Sequence, residues 1–175
     1  MILNLFRKNP TADAVTEVYR AIVAQSRQPV FYAEWGVPDT LTGRFDMISL
    51  HVALLLRRFR RSGADATAFS QQLFDYFFKD MDRSLREMGV SDLGVPKRIQ
   101  KMSEVFYGLL TNINDAMDKR DGAELEAVIR RNLFGGDEAA DASRLAAYLL
   151  AQSEALEAQS TDTIRTGQMT LRDAA

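Results

Sequence analysis

The chain contains a single histidine, His51, and no cysteine. The lack of cysteine excludes disulfides, thiolate catalysis and Cys-ligated zinc or iron–sulfur sites. One histidine cannot form a His-rich metal site, and a Ser-His-Asp triad would have to use His51. His51 lies in a nearly continuous apolar segment, four residues from both Met47 and Leu55. This setting favours a core or boundary histidine with a satisfied hydrogen bond over a catalytic one.

A second group of reactive side chains is acidic and comprises Asp80, Asp82 and Glu87. Neighbouring carboxylates act as acid and base only where burial or mutual repulsion shifts their pKa values. Arg83 and Arg86 lie among them, and the spacing pairs Asp82 with Arg86 and Arg83 with Glu87 along a helix. This pattern predicts a solvated ladder of ion pairs, with a specific polar contact to a partner as the alternative and no metal site.

A third group is basic and lies just before Gly63; it comprises Arg57, Arg58, Arg60 and Arg61. In one interpretation these cations only end a helix, where they interact favourably with exposed carbonyl groups. In the other they form a patch for anionic lipid headgroups or ribosomal RNA. Lys97, Arg98 and Lys101 would extend that patch if their loop folds to the same end of the molecule.

Sequence motifs for catalysis are missing: there is no GxGxxG, GxxxxGK[ST], HExxH or GxSxG. The GGDE at 135–138 is interpreted as a helix stop followed by acidic residues at the next helix start. We therefore expect no catalytic residue, no metal and no cofactor. The rival hypothesis is a small all-α enzyme or cofactor-binding module that uses His51 and the acidic residues. Such a protein needs an enclosed pocket, whereas a binding protein presents an open groove or patch.

Six helices are predicted to position these groups, because apolar residues recur at helical spacing and no strand alternation is found. The segment 45–59 is apolar around most of its circumference, which places it at the centre of the fold. The predicted helices cover residues 11–27, 45–59, 64–88, 96–119, 124–133 and about 137–159.

Aromatic residues concentrate at two places. The connection around Pro29 carries Phe31, Tyr32 and Trp35, which we expect to be strapped onto the core. In the run 74–78, spacing assigns Phe74, Phe77 and Phe78 to the core and Tyr76 to a position off that face.

The 175 residues fit one domain, and the net charge of −2 gives no general attraction to DNA or to an anionic membrane. The longest strongly apolar segment, 47–56, has about half the length of a membrane-spanning helix, which needs about 20 residues. The start, MILNLFRKNP, has neither the order of a secretory signal nor the composition of a transit peptide. We expect a cytoplasmic protein with one helical domain over 1–160 and a loosely ordered tail over 161–175.

Two segments resemble the signature of the ubiquinol–cytochrome c chaperone family, in the same order and spacing. The first is WGVPDTLTGRFDMISLHVALLLRR at 35–58, and the second is FDYFFKDMDRSLREMGVSDLGVPKRIQK at 74–101. The resemblance implies a chaperone that binds newly made cytochrome b and promotes assembly of ubiquinol–cytochrome c reductase. A permanent scaffold subunit with the same surface is an alternative.

The resemblance also implies partners and positions. The partner that it implies besides cytochrome b is a small co-chaperone, while a ribosome or an anionic membrane surface is the partner that the basic residues would bind. Without a transit peptide, the chain resembles a bacterial member that works at the inner face of the inner membrane. The matching positions that we predict to bind the client are Trp35, Asp39, Arg44, His51, Asp80, Asp82, Arg83, Arg86, Glu87 and Lys97.

Overall fold

The computed structural model describes residues 10–174, and within that range every regular element is a helix. The helices are α1 (Pro10–Ser26), α2 (Pro29–Ala33), α3 (Leu41–Phe59), α4 (Ala64–Glu87), α5 (Val95–Lys119), α6 (Gly122–Leu133), α7 (Ser143–Glu157) and α8 (Thr161–Arg165). Six of these have 12 residues or more, so the predicted all-α class and the six long helices are confirmed. The interpretation of the amino-terminal segment concerns residues 1–9, which lie outside the described range.

Helix α3 is the centre of the fold, as its apolar circumference predicts. It packs against α1, α4, α5, α6 and α7, and its residues from Phe45 to Leu55 are all buried. At its start the side chain of Thr40 accepts a hydrogen bond from the backbone N–H of Gly43 at 3.1 Å, which caps the helix. A Cβ at Gly43 would lie 2.0 Å from the carbonyl oxygen of Pro38. This position therefore requires glycine, because the preceding connection passes directly against it.

Two helical hairpins give the bundle two distinct ends. Gly63 (φ 90°) joins α3 to α4, and Gly89 (φ 81°) follows α4 before the turn into α5. We call the end that holds the start of α3, the end of α4 and the start of α5 the upper end. At the opposite, lower end, Phe59 packs edge-on against Phe69 with ring centroids 5.5 Å apart.

The aromatic residues form the middle of the core. Phe77 is fully buried and stacks on Phe45 with centroids 5.6 Å apart. Phe78 is also buried, whereas Phe74 is only half-buried. Tyr76 lies off this face, as predicted, and packs against a tyrosine of α1.

The connection after α1 packs on the core as expected, since Phe31 is fully buried and Trp35 is 9% exposed. It also contains the short helix α2, which the sequence reading did not include. Pro29 occupies the first turn of α2, where the missing N–H has no helical partner to lose. This proline therefore follows the end of α1 and begins a new, short helix.

Helix α7 begins at Ser143, later than the start near residue 137 that the sequence predicts. Gly135 and Gly136 both have positive φ. The side chains of the two aspartates that follow accept hydrogen bonds within turns, so they do not start a helix. Asp137 accepts from the N–H of Ala139, and Asp141 accepts from the N–H of Ser143.

The carboxy-terminal segment packs against the bundle, in place of the loosely ordered tail expected over 161–175. Ile164 of α8 is fully buried. The carbonyl oxygen of Arg172 accepts hydrogen bonds from the side-chain amides of Gln25 and Gln152, and Gln152 accepts from the N–H of Arg172 in return. These contacts join glutamine side chains to backbone groups and produce no periodic pattern of apolar residues. The sequence therefore does not indicate this docking.

Candidate functional site

The upper end brings together most of the polar positions that the sequence predicts to contact a partner. Asp39 and Arg44 border the start of α3, Asp80 to Glu87 form the end of α4, and Lys97 lies in the first turn of α5. Two of the predicted positions, Trp35 and His51, are buried instead. The exposed part consists of a groove beside α2 and a ladder of ion pairs on α4.

The groove is open and has a volume of about 630 Å³; its lining residues are Arg27, Pro29, Tyr32, Ala33, Asp39 and Arg44. The guanidinium of Arg44 donates to the carboxylate of Asp39 at 2.7 Å, and both side chains are more than half exposed. This hydrogen bond lowers the pKa of Asp39. Tyr32 donates to the carbonyl oxygen of Ser26, and burial raises its pKa. Arg27 forms no ion pair with any residue in the described range, so the groove has a cation to offer a ligand.

The ladder on α4 contains both ion pairs that the spacing predicts. Arg86 binds Asp82 at 2.5 Å, and Arg83 lies 3.9 Å from Glu87. Arg83 also binds Asp80. Except for Asp80, these side chains are 38% to 71% exposed, so the ladder is a solvated charged surface.

Asp80 connects this ladder to α1. Its side chain is 18% exposed and accepts a hydrogen bond from the hydroxyl of Tyr19 at 2.9 Å. Burial, followed by the adjacent Asp80 carboxylate, raises the pKa of Tyr19 well above its usual range. The Tyr19 hydroxyl therefore stays protonated and remains a donor to Asp80, which fixes the ladder relative to α1.

His51 is a core residue, as its apolar setting in the sequence favours, and it lies outside the exposed surface of the upper end. It is 2% exposed, its Nδ1 lies 2.8 Å from the carbonyl oxygen of Met47, and its Nε2 lies 2.8 Å from the hydroxyl of Tyr148. Because a carbonyl only accepts, Nδ1 carries the proton and Nε2 accepts from Tyr148. Burial lowers the pKa of His51 to about 4, so the ring is neutral.

The tyrosine that holds His51 completes a buried polar network. The Tyr148 hydroxyl accepts from the side-chain amide of Gln25 at 2.8 Å. Trp35 packs edge-on against Tyr148 with centroids 5.8 Å apart. No carboxylate in the described range bonds to His51.

The arginine cluster lies at the lower end and mostly joins helix ends to one another. Arg57 donates to the side-chain oxygen of Asn114 at 3.2 Å, and both Arg57 and Arg60 bind Asp118 at 2.7 Å. The pKa of Asp118 is lowered by these two hydrogen bonds, the one from Arg60 first.

Arg58 donates to the backbone carbonyl oxygens of Leu156 and Gln159 at the end of α7, both at 2.9 Å. The side chains of Arg57 and Arg58 are only 15% and 16% exposed. The structure thus supports the helix-end interpretation for these two arginines.

The three cations of α5 do not extend this cluster, which corrects the expectation that they would lie alongside it. Asp118, which binds the cluster, is near the end of α5, while Lys97, Arg98 and Lys101 occupy its first two turns. At a rise of about 1.5 Å per residue, some 20 residues of helix separate the two groups by about 30 Å. The molecule therefore has two separate basic regions.

Two buried polar residues of α3 were missed by the sequence analysis. Asp46 is 6% exposed with no hydrogen-bond partner within the described range, and burial raises its pKa to about 7. Ser49, one turn further, is 1% exposed, and its hydroxyl has no partner among the described residues. A lone aspartate within an apolar helical segment was the available signal.

Exposed apolar residues at the upper end were missed as well. Leu41 is 54% exposed, Met88 is 49% exposed and Leu93 is 88% exposed. They lie at the start of α3, the end of α4 and in the loop that follows. No helix in the described range is long and apolar enough to cross a membrane.

Comparison with known proteins places both signature segments inside one family match. The model of the family described as "Ubiquinol-cytochrome C chaperone" matches residues 33–171. The assembly factor 1 of the ubiquinol-cytochrome-c reductase complex from Xenopus laevis is 23% identical over 162 residues, which cover 91% of this chain and 80% of that protein. The Mus musculus counterpart is 22% identical over the same share of this chain. The chain spans only 55% of the mouse protein.

A solved structure is also similar to this chain. The crystal structure of the Cbp3 homolog from Brucella abortus superposes with a TM-score of 0.87 at 40% sequence identity. The similarity covers 99% of this chain and 98% of that one. The resemblance therefore extends over the whole described fold, including the carboxy-terminal segment.

Proposed function

The chain belongs to the ubiquinol–cytochrome c chaperone family, and from this premise we propose that it binds newly made cytochrome b and promotes its assembly into ubiquinol–cytochrome c reductase. The similar proteins of frog and mouse are named as assembly factors of that complex. The chain acts as a binding protein, without catalysis and without a cofactor.

The observation that carries the proposal is the open charged surface at the upper end. The two signature segments, which are far apart in the sequence, meet there because α3 and α4 form an antiparallel hairpin. Their exposed polar side chains point outward, while the only histidine is sealed in the core. An open surface suits a large protein client, whereas a small substrate needs an enclosed pocket.

The ion pairs of this surface are suited to exchange. An exposed ion pair contributes only about 0 to 1 kcal/mol, so opening one to bind a charged loop of a client costs little. Asp39 with Arg44 and Asp82 with Arg86 are such pairs. Apolar contact comes from Leu41, which is 54% exposed at the start of α3. The client therefore meets a surface with both charges and an apolar edge.

The setting follows from the client. Cytochrome b is an apolar membrane protein, so we place the chain at the inner face of a bacterial inner membrane, as a peripheral protein in the cytoplasm. A small co-chaperone and the ribosome remain candidate partners, and Arg60 and Arg61 of the lower end, more open than Arg57 and Arg58, are the cluster residues that a ribosome would meet.

The test compares two double variants in cells that lack the wild-type gene. Arg83→Glu with Arg86→Glu replaces the two cations of the ladder with carboxylates. Arg20→Glu with Arg131→Glu makes the same change of charge at exposed positions elsewhere. We expect the first variant to lose co-purification with cytochrome b and to lower the level of assembled complex, with other respiratory complexes normal. The second variant should behave as wild type.

Unchanged complex levels in the gene deletion would contradict the assembly role. Normal capture of cytochrome b by the Arg83→Glu, Arg86→Glu variant would contradict the assigned surface. Recovery of the chain in the purified, mature reductase would instead support a permanent scaffold subunit.

A further inference from the structure

The loop between α4 and α5 is a fixed structure with an apolar tip. Three backbone N–H groups of the loop donate to backbone carbonyl oxygens at 2.8 to 3.1 Å: Gly89 to Arg86, Val90 to Leu85, and Gly94 to Ser91. Buried side chains hold both sides of the loop, Leu85 before it and Val95 after it. Leu93, at the tip, is 88% exposed. A leucine held out in water by a hydrogen-bonded turn loses the free energy that burial would provide.

Unpaired cations follow this tip directly. Lys97 and Arg98 lie in the first turn of α5, are exposed, and form no ion pair within residues 10–174. Lys101, one turn further, is 75% exposed and lies 3.9 Å from Glu104. The first turn of α5 contains no acidic residue, and no side chain caps it.

The placement of these cations is unfavourable for the isolated chain. The start of a helix carries a partial positive charge, so cations there are disfavoured by up to about 1 kcal/mol each. The carboxylates nearest in the sequence are already engaged, Asp92 with Arg86 at 2.5 Å and Glu104 with Lys101 at 3.9 Å. An anionic partner outside the chain would remove the imbalance.

We propose that the α4–α5 loop and the first two turns of α5 dock on an anionic lipid bilayer. Leu93 and Met88 enter the boundary between headgroups and acyl chains, while Lys97, Arg98 and Lys101 contact lipid phosphates. The inference deepens the proposed function and rests on it for the expectation that the chain works beside a membrane. Exposed apolar side chains that are followed by a group of cations fit a bilayer better than RNA, whose backbone is read by charge and whose bases are read by stacking.

Such docking orients the whole molecule. The groove and the α4 ladder lie at the same end as the loop, so they would face the bilayer interface, where the loops of a membrane protein emerge. The arginine cluster of the lower end, about 30 Å away along α5, would point into the solvent. Membrane contact is thus assigned to Lys97, Arg98 and Lys101 alone among the predicted basic residues.

The experiment measures co-sedimentation of the full chain with vesicles. One set contains equal amounts of phosphatidylcholine and phosphatidylglycerol, and the other contains phosphatidylcholine alone. Lys97→Gln with Arg98→Gln removes two cations from the loop region, and Arg60→Gln with Arg61→Gln is the matched control at the lower end. Leu93→Ser tests the apolar contact without a change of charge. Circular dichroism and thermal melting verify that each variant folds.

We expect the wild-type chain to bind the anionic vesicles and to be released by salt, which screens charges over about 8 Å at physiological ionic strength. The Lys97→Gln, Arg98→Gln variant should bind about thirtyfold more weakly, since each cation near an anionic surface contributes about 1 kcal/mol. Leu93→Ser should weaken binding by roughly tenfold. The Arg60→Gln, Arg61→Gln control should bind as wild type.

Equal binding to neutral vesicles, or loss of binding in the lower-end control alone, would overturn the proposal. So would sedimentation of the chain with purified ribosomes, abolished by Lys97→Gln with Arg98→Gln, in the absence of any vesicle binding. A failed vesicle test with normal capture of cytochrome b would leave the proposed function standing. Normal vesicle binding without capture of cytochrome b would support the lipid surface and contradict the proposed client.

Discussion

A buried carboxylate at residue 46 is an unusual feature of a central helix. Asp46 is 6% exposed, has no hydrogen-bond partner in the described range, and has a pKa raised to about 7 by burial. Ser49 lies one helical turn away and is equally without a partner there. The Ser49 hydroxyl reduces the stability of the fold, because it lost its hydrogen bonds to water on folding, and burial disfavours the charged form of Asp46. The raised pKa of Asp46 makes the stability of the fold sensitive to pH.

The sign of that sensitivity follows from the direction of the shift. The folded pKa of about 7 is above the ordinary value of 3.8 for Asp46. The folded state is therefore penalised as pH rises from about 4 to 7, because the unfolded chain gives up the proton more readily. We expect Asp46→Asn to stabilise the protein at pH 8 by a few kcal/mol more than at pH 4, measured by urea unfolding. The exposed Asp13→Asn is the control, and parallel pH profiles for Asp46→Asn and wild type would contradict this assignment.

For His51 we expect the opposite pH dependence: the free energy of unfolding should fall as the pH is lowered. Its folded pKa of about 4 lies below its ordinary value of 6.5, because burial disfavours the charged ring. The unfolded chain binds a proton first, so the stability of the wild type should fall as pH drops from 6.5 to about 4. His51→Gln should fold and should lose this part of the pH dependence. Tyr148→Phe should keep it and cost about 1 to 3 kcal/mol, since Nε2 is left without its donor.

A denaturation series between pH 4 and pH 7 with each variant tests these expectations. A pH profile for His51→Gln that matches the wild type would show that His51 does not titrate as the buried network requires.

At the scale of elements, hydrophobic periodicity was sufficient to predict every long helix. The stripe of α4 and the full circumference of α3 define which faces are buried, since each apolar residue must find a neighbouring helix. The pairs Asp82 with Arg86 and Arg83 with Glu87 follow from helical spacing alone. Local rules suffice where the partners lie within one turn.

The same sequence could not reveal contacts between distant polar residues. Gln25 bonds to the backbone of Arg172, 147 residues away, and Arg58 bonds to the backbone of α7. Every residue carries a backbone carbonyl group, so the sequence pattern does not indicate which carbonyl will accept such a hydrogen bond. For this reason the arginine cluster could be interpreted as a free patch, and the carboxy-terminal segment as a loose tail.

The docked carboxy-terminal segment leads to a third prediction. Ile164 of α8 is fully buried, and α8 packs on α1 and α4. Ile164→Ala should destabilise the protein by roughly 2 to 5 kcal/mol, because it leaves a cavity between three helices. Thr163→Ala, at the exposed neighbouring position, should change the stability by less than about 0.5 kcal/mol. Thermal melting of both variants would show equal, small effects if the segment were loose.

At the scale of the whole molecule, the proposed client surface and the proposed lipid surface use neighbouring but separate residues of the upper end. Arg83 and Arg86 belong to the α4 ladder, and Lys97 and Arg98 follow the apolar loop. The two groups are joined by the fixed turn that carries Leu93. The fold thus holds the two proposed surfaces at one end of the molecule, joined by this hydrogen-bonded turn.

This arrangement predicts that an artificial anchor can replace one function but not the other. Lys97→Gln with Arg98→Gln should lower the amount of assembled reductase in cells, while detergent-solubilised cytochrome b is still captured. Fusion of this variant to a membrane-spanning helix should restore assembly, because the anchor replaces the lost attraction to lipid by a high effective concentration at the bilayer. The same fusion to Arg83→Glu with Arg86→Glu should not restore it, since a chain held at the membrane still lacks its client surface. The levels of reductase in these three strains measure the outcome, and equal rescue of both variants would show that the α4 ladder also acts only by bringing the protein to the membrane.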